Sequence, residues 1–199
     1  RDVGRLFSLL KELKIDDNTL VIFTSDNGPH EEGGHKHEFF NSNGDLTGYK
    51  RSMHDGGIRV PMIARWPGRI EAGSTSNLPS AFWDFLPTAC EIAAAEPPQN
   101  IDGLSYLPTL LGENDRQKKH EYLYWSSLEG ATSVGVRMGN WKLVKYRAPK
   151  NRKPETPEKP DCRLYDLSSD IGEKTDLADR HPEVVERILQ LLKRDNLTD

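Results

Sequence analysis

The 199-residue chain carries a formal net charge of −4 and has a mean hydropathy of −0.70. This acidic balance argues against a nucleic-acid-binding protein, which presents a basic face, and no apolar run approaches the length of a membrane span. The length is sufficient for one domain, or for two small ones, with a substantial core. The sequence opens without an initiator methionine or a signal-peptide pattern and enters a helical pattern almost at once, so we expect a segment of a larger protein.

A helix, a strand and a long loop are predicted in the first third of the chain. A helix over residues 3–14 follows from four leucines at helical spacing, which are Leu6, Leu9, Leu10 and Leu13. Residues 19–25 form an apolar strand, and a helix followed by a short, wholly apolar strand is typical of a parallel sheet covered on both faces. Residues 28–57 show no periodicity, and a loop of this length in a compact domain is usually functional or disordered.

The middle of the chain continues this alternation of strand and helix. A second strand is predicted over residues 58–66, and a helix over residues 80–95 has a start or a kink at Pro87. A short helix over residues 104–111 is closed by Gly112. Helices and strands in alternation indicate the α/β class.

The tail of the chain has the pattern of a small antiparallel sheet backed by one helix. Four strand patterns occur, at residues 122–125, 133–137, 141–146 and 164–167. The proline-rich residues 149–160 predict an extended surface loop, and the last helix begins at Pro182. We therefore divide the chain into an α/β domain over residues 1–115 and a small α+β subdomain over residues 116–199.

The two cysteines provide neither a disulfide framework nor metal-ligand spacing. Cys90 lies in a helical stretch, where a buried free thiol is favoured. A single bridge between Cys90 and Cys162 remains an alternative that the sequence does not decide.

A carboxylate and a carboxamide stand side by side where the first predicted strand ends. Asp26 and Asn27 follow the apolar run from Leu20 to Phe23, and ligands of open α/β sheets bind just beyond the carboxyl ends of the strands. Two hard oxygen donors suit a hard divalent cation such as Ca²⁺ or Mg²⁺. Because Asp-Asn-Gly is also ordinary turn composition, the metal hypothesis depends on the segment that follows downstream.

That downstream segment supplies a lysine close to a pair of glycines. Lys50 is either a solvated surface lysine, as most lysines are, or a point charge placed on a tetrahedral oxyanion or its leaving oxygen. Gly56-Gly57 provides either unusual backbone conformations or room for close approach to a site. We interpret the flanking Asp55 and Arg59 as structural rather than substrate-binding.

The long loop is rich in histidine. His35 and His37 would point the same way in an extended segment, so a Zn²⁺ or Ni²⁺ site is an alternative, although no HExxH spacing is present. A solvated loop that faces the substrate is favoured. His54 precedes the glycine pair and is a candidate for the border of the substrate pocket. The tail aromatics are interpreted as sheet core rather than as a sugar-stacking platform: Tyr122, Tyr124, Trp125, Trp141 and Tyr146.

Taken in chain order, these segments resemble the C-terminal part of a type I, formylglycine-dependent sulfatase of the alkaline-phosphatase-like superfamily, with details closest to arylsulfatases and N-acetylgalactosamine-6-sulfatase-like enzymes. The matching segments are residues 18–28, Lys50 with 55–61, 66–68, Asp84 with 87–88, 136–143, and 164–167 with Glu173 and 176–178. The resemblance implies the C-terminal part of an alkaline-phosphatase-like α/β sandwich, followed by a small antiparallel sheet with a C-terminal helix.

The same resemblance implies a function. The complete protein would hydrolyse a sulfate ester of a sulfated glycan or an aryl alcohol, with a Ca²⁺ ion and a formylglycine nucleophile, in the periplasm or outside the cell. Asp26 and Asn27 resemble two metal ligands of the family, and Lys50 resembles its sulfate-binding catalytic lysine. The family's Cys-or-Ser, x, Pro, Ser, Arg signature is absent from this sequence. We therefore expect half a site, inactive alone.

Two other classes of function remain open at this point. A phosphatase or phosphonate hydrolase of the same superfamily would use a Thr or Ser nucleophile and, in many cases, two Zn²⁺ ions. A non-catalytic module that binds sulfated glycans would account for the missing nucleophile, but it would leave Asp26, Asn27 and Lys50 without a joint purpose. We therefore favour the sulfatase.

Overall fold

The computed structural model describes residues 1–127, 132–146 and 161–197. The chain forms two compact units, the first from Arg1–Thr24 and Pro61–His120 and the second from Ser25–Val60 and Glu121–Asp199. The chain thus enters the second unit twice. The division at residue 115 that the sequence suggests stays a prediction about domain organisation.

The first unit combines three helices with a two-stranded sheet. Its helices are α1 (Asp2–Glu12), α3 (Phe85–Ile92) and α4 (Leu107–Leu110), and its strands are β1 (Val21–Thr24) and β2 (Met62–Arg65). The elements α3, α4, β1 and β2 fall within the segments that the sequence predicted, and α1 begins one residue earlier than predicted. Pro87 is the third residue of α3, within the first turn, where its missing N–H costs no helical hydrogen bond.

The expectation of a parallel, fully covered sheet around the first strand is wrong. β1 pairs with β2 in antiparallel register, with Val21 opposite Arg65, and Phe23 and Ile63 are 56% and 64% exposed. An apolar run predicts that a strand can be covered, but it does not specify the direction of its partner or what covers it.

Asp84, part of the family-like pattern, has a structural role in the first unit. Its Oδ2 accepts a hydrogen bond from the Ala81 N–H, and its Oδ1 accepts one from the Leu104 N–H, both at 2.8 Å. His120 Nε2 lies 2.8 Å from the same Oδ1. Since the Asp84 side chain is buried, these contacts satisfy a carboxylate that would otherwise be costly to desolvate.

The second unit contains a four-stranded antiparallel sheet in the order β3-β4-β5-β6. Its elements are β3 (Leu123–Ser126), β4 (Thr132–Met138), β5 (Trp141–Tyr146), β6 (Cys162–Asp166) and the final helix α5 (Pro182–Arg194). The four predicted strands and the closing helix are confirmed. The predicted loop over residues 149–160 lies outside the described residues.

Alternation along β5 gives the sheet two covered faces. Leu143 packs on one face with Ile188 and Leu192 of α5, in a core where all three are fully buried or nearly so. Val144 lies on the other face in a second core with Met53 and Tyr165. Burial of side chains of this size contributes about 1.5–3 kcal/mol each. The second face therefore anchors the segment that leads into α2 (Asp55–Ile58).

The tail aromatics pack against these two cores, which confirms their interpretation as sheet core. Tyr122, Tyr124 and Trp141 contact the core beneath α5, and Trp125 and Tyr146 contact the other. Cys90 and Cys162 are free thiols, and burial raises the pKa of the Cys162 thiol to about 11. Among the described residues, no helix has the length and apolar character needed to cross a membrane.

Candidate active site

Asp26 and Asn27 form a tight turn immediately after β1. The Asp26 side chain is exposed, and Asn27 is half-buried. The Ser25 hydroxyl donates to the Asn27 carbonyl, and Asn27 Nδ2 donates to the Gly28 carbonyl, both at 2.8 Å. Because only the amide nitrogen can donate to a carbonyl, Asn27 Oδ1 is left as an acceptor. The turn therefore presents two oxygen donors of the kind that suits Ca²⁺.

Gly28 docks this turn on the helical segment α2. The Gly28 N–H donates to the Gly57 carbonyl at 2.9 Å, and a Cβ atom at residue 28 would lie only 1.8 Å from the Gly56 oxygen. A Cβ at Gly56 would in turn lie 2.4 Å from the Thr47 oxygen. These glycines provide room for backbones to approach closely, which is one of the two alternatives that the sequence left open.

Lys50 lies on a segment that adjoins the turn formed by Asp26 and Asn27. Its N–H donates to the Pro29 carbonyl at 2.8 Å, and its Nζ lies 3.2 Å from Glu32 Oε2. The structure thus brings Asp26, Asn27 and Lys50 onto neighbouring, hydrogen-bonded backbone segments. Their roles in binding and catalysis stay predictions.

Glu32 carries two cationic partners, which sequence reasoning missed. Arg51 Nη2 lies 2.7 Å from Glu32 Oε1, on the other oxygen of the carboxylate that pairs with Lys50. Hydrogen bonds from Arg51 and then Lys50 lower the pKa of Glu32 below its usual value. The glutamate and both cations are visible in the sequence, but only the fold of the loop shows that they meet.

His54 was a candidate for the border of the substrate pocket, and the structure gives that expectation no support. The side chain is buried, its Nε2 lies 2.8 Å from the Tyr146 hydroxyl, and its Nδ1 lies 3.1 Å from Glu173 Oε1. The distance of this second contact is within the range of an ion pair, but its angle does not meet the geometry of a hydrogen bond. Since both ring nitrogens face protein groups, the geometry favours a supporting role for His54.

A buried charge cluster beneath α2 is the second feature that sequence reasoning missed. Lys142 Nζ lies 2.7 Å from Asp55 Oδ1 and 4.0 Å from Glu173 Oε1, and Glu173 Oε2 accepts the Asp55 N–H at 2.7 Å. The structural interpretation of Asp55 is confirmed by these contacts, and Arg59 lies 3.7 Å from its Oδ2. The signal that could have revealed this cluster in the sequence is strand alternation, which places Lys142 on the same face of β5 as the buried Val144.

The histidine-rich loop offers a different set of metal-type ligands from the pair considered in the sequence. His37 Nδ1 lies 2.7 Å from Glu31 Oε1 and 3.5 Å from Glu38 Oε2. His35 instead lies beside His30, with ring centroids 5.3 Å apart and ring planes tilted by 39°. The structure thus joins His37 to two carboxylates, while the proposal of a Zn²⁺ or Ni²⁺ site on His35 and His37 has no supporting contact among the described residues.

Comparison with known proteins gives one consistent result. Residues 2–95 match the sulfatase family profile. The chain is 32% identical over 202 residues to the N-acetylgalactosamine-6-O-sulfatase of Bacteroides thetaiotaomicron, with 96% of this chain and 39% of that protein covered. It is 34% identical over 215 residues to human arylsulfatase A, with 96% of this chain and 41% of that protein covered.

A solved structure supports the same relationship at the level of the fold. An enzyme in complex with its substrate D-glucosamine-2-N,6-O-disulfate superimposes with a TM-score of 0.69 and 26% identity, over 97% of this chain and 37% of that chain. The described chain therefore spans about two fifths of the length of the proteins that it matches.

Proposed function

The chain belongs to the sulfatase family, and on this premise we propose that it supplies part of the active site of an enzyme that hydrolyses sulfate esters. The observation that carries the proposal is the docking of the Asp26–Asn27 turn, through Gly28, on Gly57, directly beside the backbone of Lys50. This arrangement puts the residues that carry two oxygen ligands and an ammonium group on adjoining backbone segments, which supports the proposal because a reaction centre that gathers negative charge requires cationic groups nearby.

Asp26 and Asn27 would hold a Ca²⁺ ion through the carboxylate and the amide oxygen. The donor set fits, because both ligands are hard oxygens, but it provides only part of the six to eight ligands that Ca²⁺ takes, so further ligands would come from elsewhere in the complete protein. When bound, the ion would supply positive charge for the oxygens of the sulfate group.

Lys50 would act on the leaving oxygen. As the bond between sulfur and the ester oxygen breaks, negative charge develops on that oxygen, and an ammonium donor at this point stabilises the charge until the alcohol takes up a proton. The nucleophile is expected in a Cys-or-Ser, x, Pro, Ser, Arg signature that this sequence lacks. We assign it to another part of the complete protein, and the segment described by itself would be inactive.

The proposed substrate is a sulfated carbohydrate. This choice is supported by two similar proteins. One is an N-acetylgalactosamine-6-O-sulfatase, and the structure of the other contains a disulfated glucosamine as its substrate. A periplasmic or secreted location is the matching proposal, because sulfated glycans of this kind are met outside the cytoplasm.

The test uses the complete protein and an Asp26→Ala variant, with Asp17→Asn as the control for an exposed aspartate. We expect the wild type and the control to retain Ca²⁺ after dialysis and to release sulfate from a sulfated monosaccharide, and Asp26→Ala to lose both properties. Lys50→Ala should keep the metal and lose about 100- to 1,000-fold in kcat. Zn²⁺ in place of Ca²⁺ together with turnover of phosphate esters alone would contradict the proposal.

A further inference from the structure

Two loops of the second unit enclose an open cavity of about 620 Å³. One wall comes from residues 37–46 of the histidine-rich loop, and the other comes from residues 169–174, which follow β6. The volume lies within the range of pockets that bind small organic ligands, which is about 300–1,000 Å³. The cavity is therefore large enough for a ligand of the size of a sugar residue.

Hydrogen bonds join the two walls of the cavity. Lys174 Nζ donates to Thr47 Oγ1 at 2.8 Å, and the Thr47 hydroxyl donates to the Gly172 carbonyl at 2.5 Å. A Cβ atom at Gly172 would lie 2.9 Å from the Asp45 carbonyl oxygen, so the two loops approach closely at this point. Asp170 Oδ2 accepts the Lys174 N–H at 2.8 Å and orders the second wall. The cavity is thus largely preformed, as binding sites for small molecules usually are.

Several oxygen atoms of the lining are left as hydrogen-bond acceptors. Asp45 is exposed, and its carboxylate makes no hydrogen bond or ion pair within the described part of the chain. Asn43 Nδ2 donates to the Leu46 and Gly48 carbonyls at 2.7 Å and 3.1 Å, which leaves Asn43 Oδ1 as an acceptor. Asp170 bonds to the backbone through Oδ2 and keeps Oδ1 without a partner among the described residues. Such a lining suits a ligand that donates hydrogen bonds through hydroxyl groups.

The charge of the lining indicates which ligand of this size is favoured. The described lining carries three carboxylates, on Glu38, Asp45 and Asp170, and one ammonium group, on Lys174. His37 also lines the cavity, and its Nδ1 lies 3.5 Å from Glu38 Oε2. An excess of carboxylates repels a sulfate or a uronate, whereas the hydroxyl groups of a neutral sugar can donate to carboxylate oxygens.

The cavity also has an apolar part and is close in the chain to the proposed catalytic lysine. Ile171 lines the cavity and is 43% exposed, so it can pack against the C–H groups of a sugar ring. Leu46, on the other wall, precedes Lys50 by four residues, and the Cα atoms of these two residues can be at most about 14 Å apart. A short oligosaccharide can therefore reach both the cavity and Lys50.

We propose that this cavity binds a neutral sugar residue of an oligosaccharide whose sulfated residue lies at Lys50. The Asp45 carboxylate accepts a hydrogen bond from a hydroxyl group of the neutral residue, and Ile171 packs against its ring. This inference rests on the proposed function, since it takes Lys50 as the residue that acts on the ester. The substrate class is then a sulfated oligosaccharide with neutral residues next to the sulfated one.

The test compares two substrates in the complete protein: a sulfated monosaccharide, and a tetrasaccharide in which the same sulfated residue is flanked by neutral residues. We expect Asp45→Ala to raise KM for the tetrasaccharide about 10- to 100-fold, in line with the loss of a charge-assisted hydrogen bond. KM for the monosaccharide should change less than about twofold, with kcat retained for both substrates.

Two further variants test the assignment of the cavity. Ile171→Ala removes the apolar contact and should raise KM for the tetrasaccharide about 3- to 10-fold. Asp179→Ala is the matched control, because Asp179 is an exposed aspartate of the same unit that does not line the cavity. It should leave the ratio of the two KM values unchanged. Equal effects of Asp45→Ala on both substrates, or no effect on either, would overturn the proposal.

Direct binding separates failure of this inference from failure of the proposed function. If the wild type hydrolyses neither substrate, calorimetry with the unsulfated tetrasaccharide still compares Asp45→Ala with Asp179→Ala. Weaker binding to Asp45→Ala would support the sugar site in the absence of sulfatase activity. Equal binding to the two variants, or no binding to the wild type, would overturn it.

Discussion

Lys142 and Asp55 form an ion pair with 2.7 Å between Nζ and Oδ1, and both side chains are almost completely shielded from solvent. The pair joins strand β5 to the first residue of α2, and α2 carries the glycines on which the Asp26–Asn27 turn docks. This contact between the small sheet and α2 thus helps to hold the backbone on which the candidate active site is built.

Replacing Lys142 by Met should therefore be strongly destabilising. The substitution removes the buried cation of Asp55 and Glu173 and leaves Asp55 only the half-exposed Arg59 at 3.7 Å, and breaking a buried pair in this way costs about 3–5 kcal/mol. The free energy of unfolding in urea measures the loss. Lys119→Met, at an exposed position, should change it by less than about 0.5 kcal/mol. Equal values for the two variants would show that the buried pair does not support the fold.

Gly28→Ala should disrupt the candidate site through one methyl group. The added Cβ would meet the Gly56 oxygen at 1.8 Å, so the Asp26–Asn27 turn must move away from α2. A displacement of about 1 Å in catalytic groups can cost about 100-fold in rate, which activity of the complete protein would reveal.

Gly4→Ala is the matched control for this steric argument. Gly4 lies within α1, and a Cβ there meets nothing within 4 Å, so the substitution should stabilise the helix by about 0.5–1 kcal/mol. Full activity of Gly28→Ala alongside normal Gly4→Ala would mean that close approach at residue 28 is not required.

Arg51→Gly should leave the melting temperature nearly unchanged although it removes an ion pair. Relief of the left-handed backbone conformation of Arg51, whose φ is +77°, is worth about 1–2 kcal/mol, which offsets the loss of the exposed contacts of the Arg51 side chain, among them the pair with Glu32, and the added freedom of glycine in the unfolded chain.

Arg59→Gly is the thermodynamic control for this comparison, because Arg59 is similarly exposed and has a φ of −87°. No strain is relieved at that position, so we expect a loss of about 1 kcal/mol. If both variants lose stability to the same extent in calorimetric melting, the backbone at residue 51 is not strained.

The contribution of Asp195 to stability should disappear in acid. Hydrogen bonds from Arg194 and Tyr122 lower the pKa of Asp195 to about 2 in the folded state, against a reference value of 3.8. Since the folded pKa is the lower of the two, the contribution is present in full above pH 3.8 and is lost as the pH falls toward 2.

Urea denaturation of the wild type and Asp195→Asn as a function of pH tests this expectation. The difference in free energy of unfolding should be constant from neutral pH down to about pH 4 and vanish near pH 2. Tyr122→Phe removes one of the donors and should shift the loss to higher pH. A difference that persists at pH 2 would mean that the side chain acts through packing and not through its charge.

Much of the secondary structure followed from local patterns. The leucines of α1, the alternation in β3–β6 and the proline at the start of α5 are short-range signals, and each produced an element that overlaps the expected segment, with ends shifted by up to two residues. The relative direction of β1 and β2 could not be predicted from local patterns, because their antiparallel pairing depends on where the chain returns after residue 60.

For the candidate site, the sequence by itself indicated which groups are candidates for the proposed chemistry, since a carboxylate, an amide, a lysine and a glycine pair in this order are legible as residue types. Only the tertiary structure decided how they are held. The steric fit of Gly28 on Gly56, the meeting of Glu32 with Lys50 and Arg51, and the burial of Lys142 with Asp55 all join residues distant in the chain. The physical reason is that the strength of an electrostatic or packing contact depends on distance and desolvation, and both are properties of the folded chain.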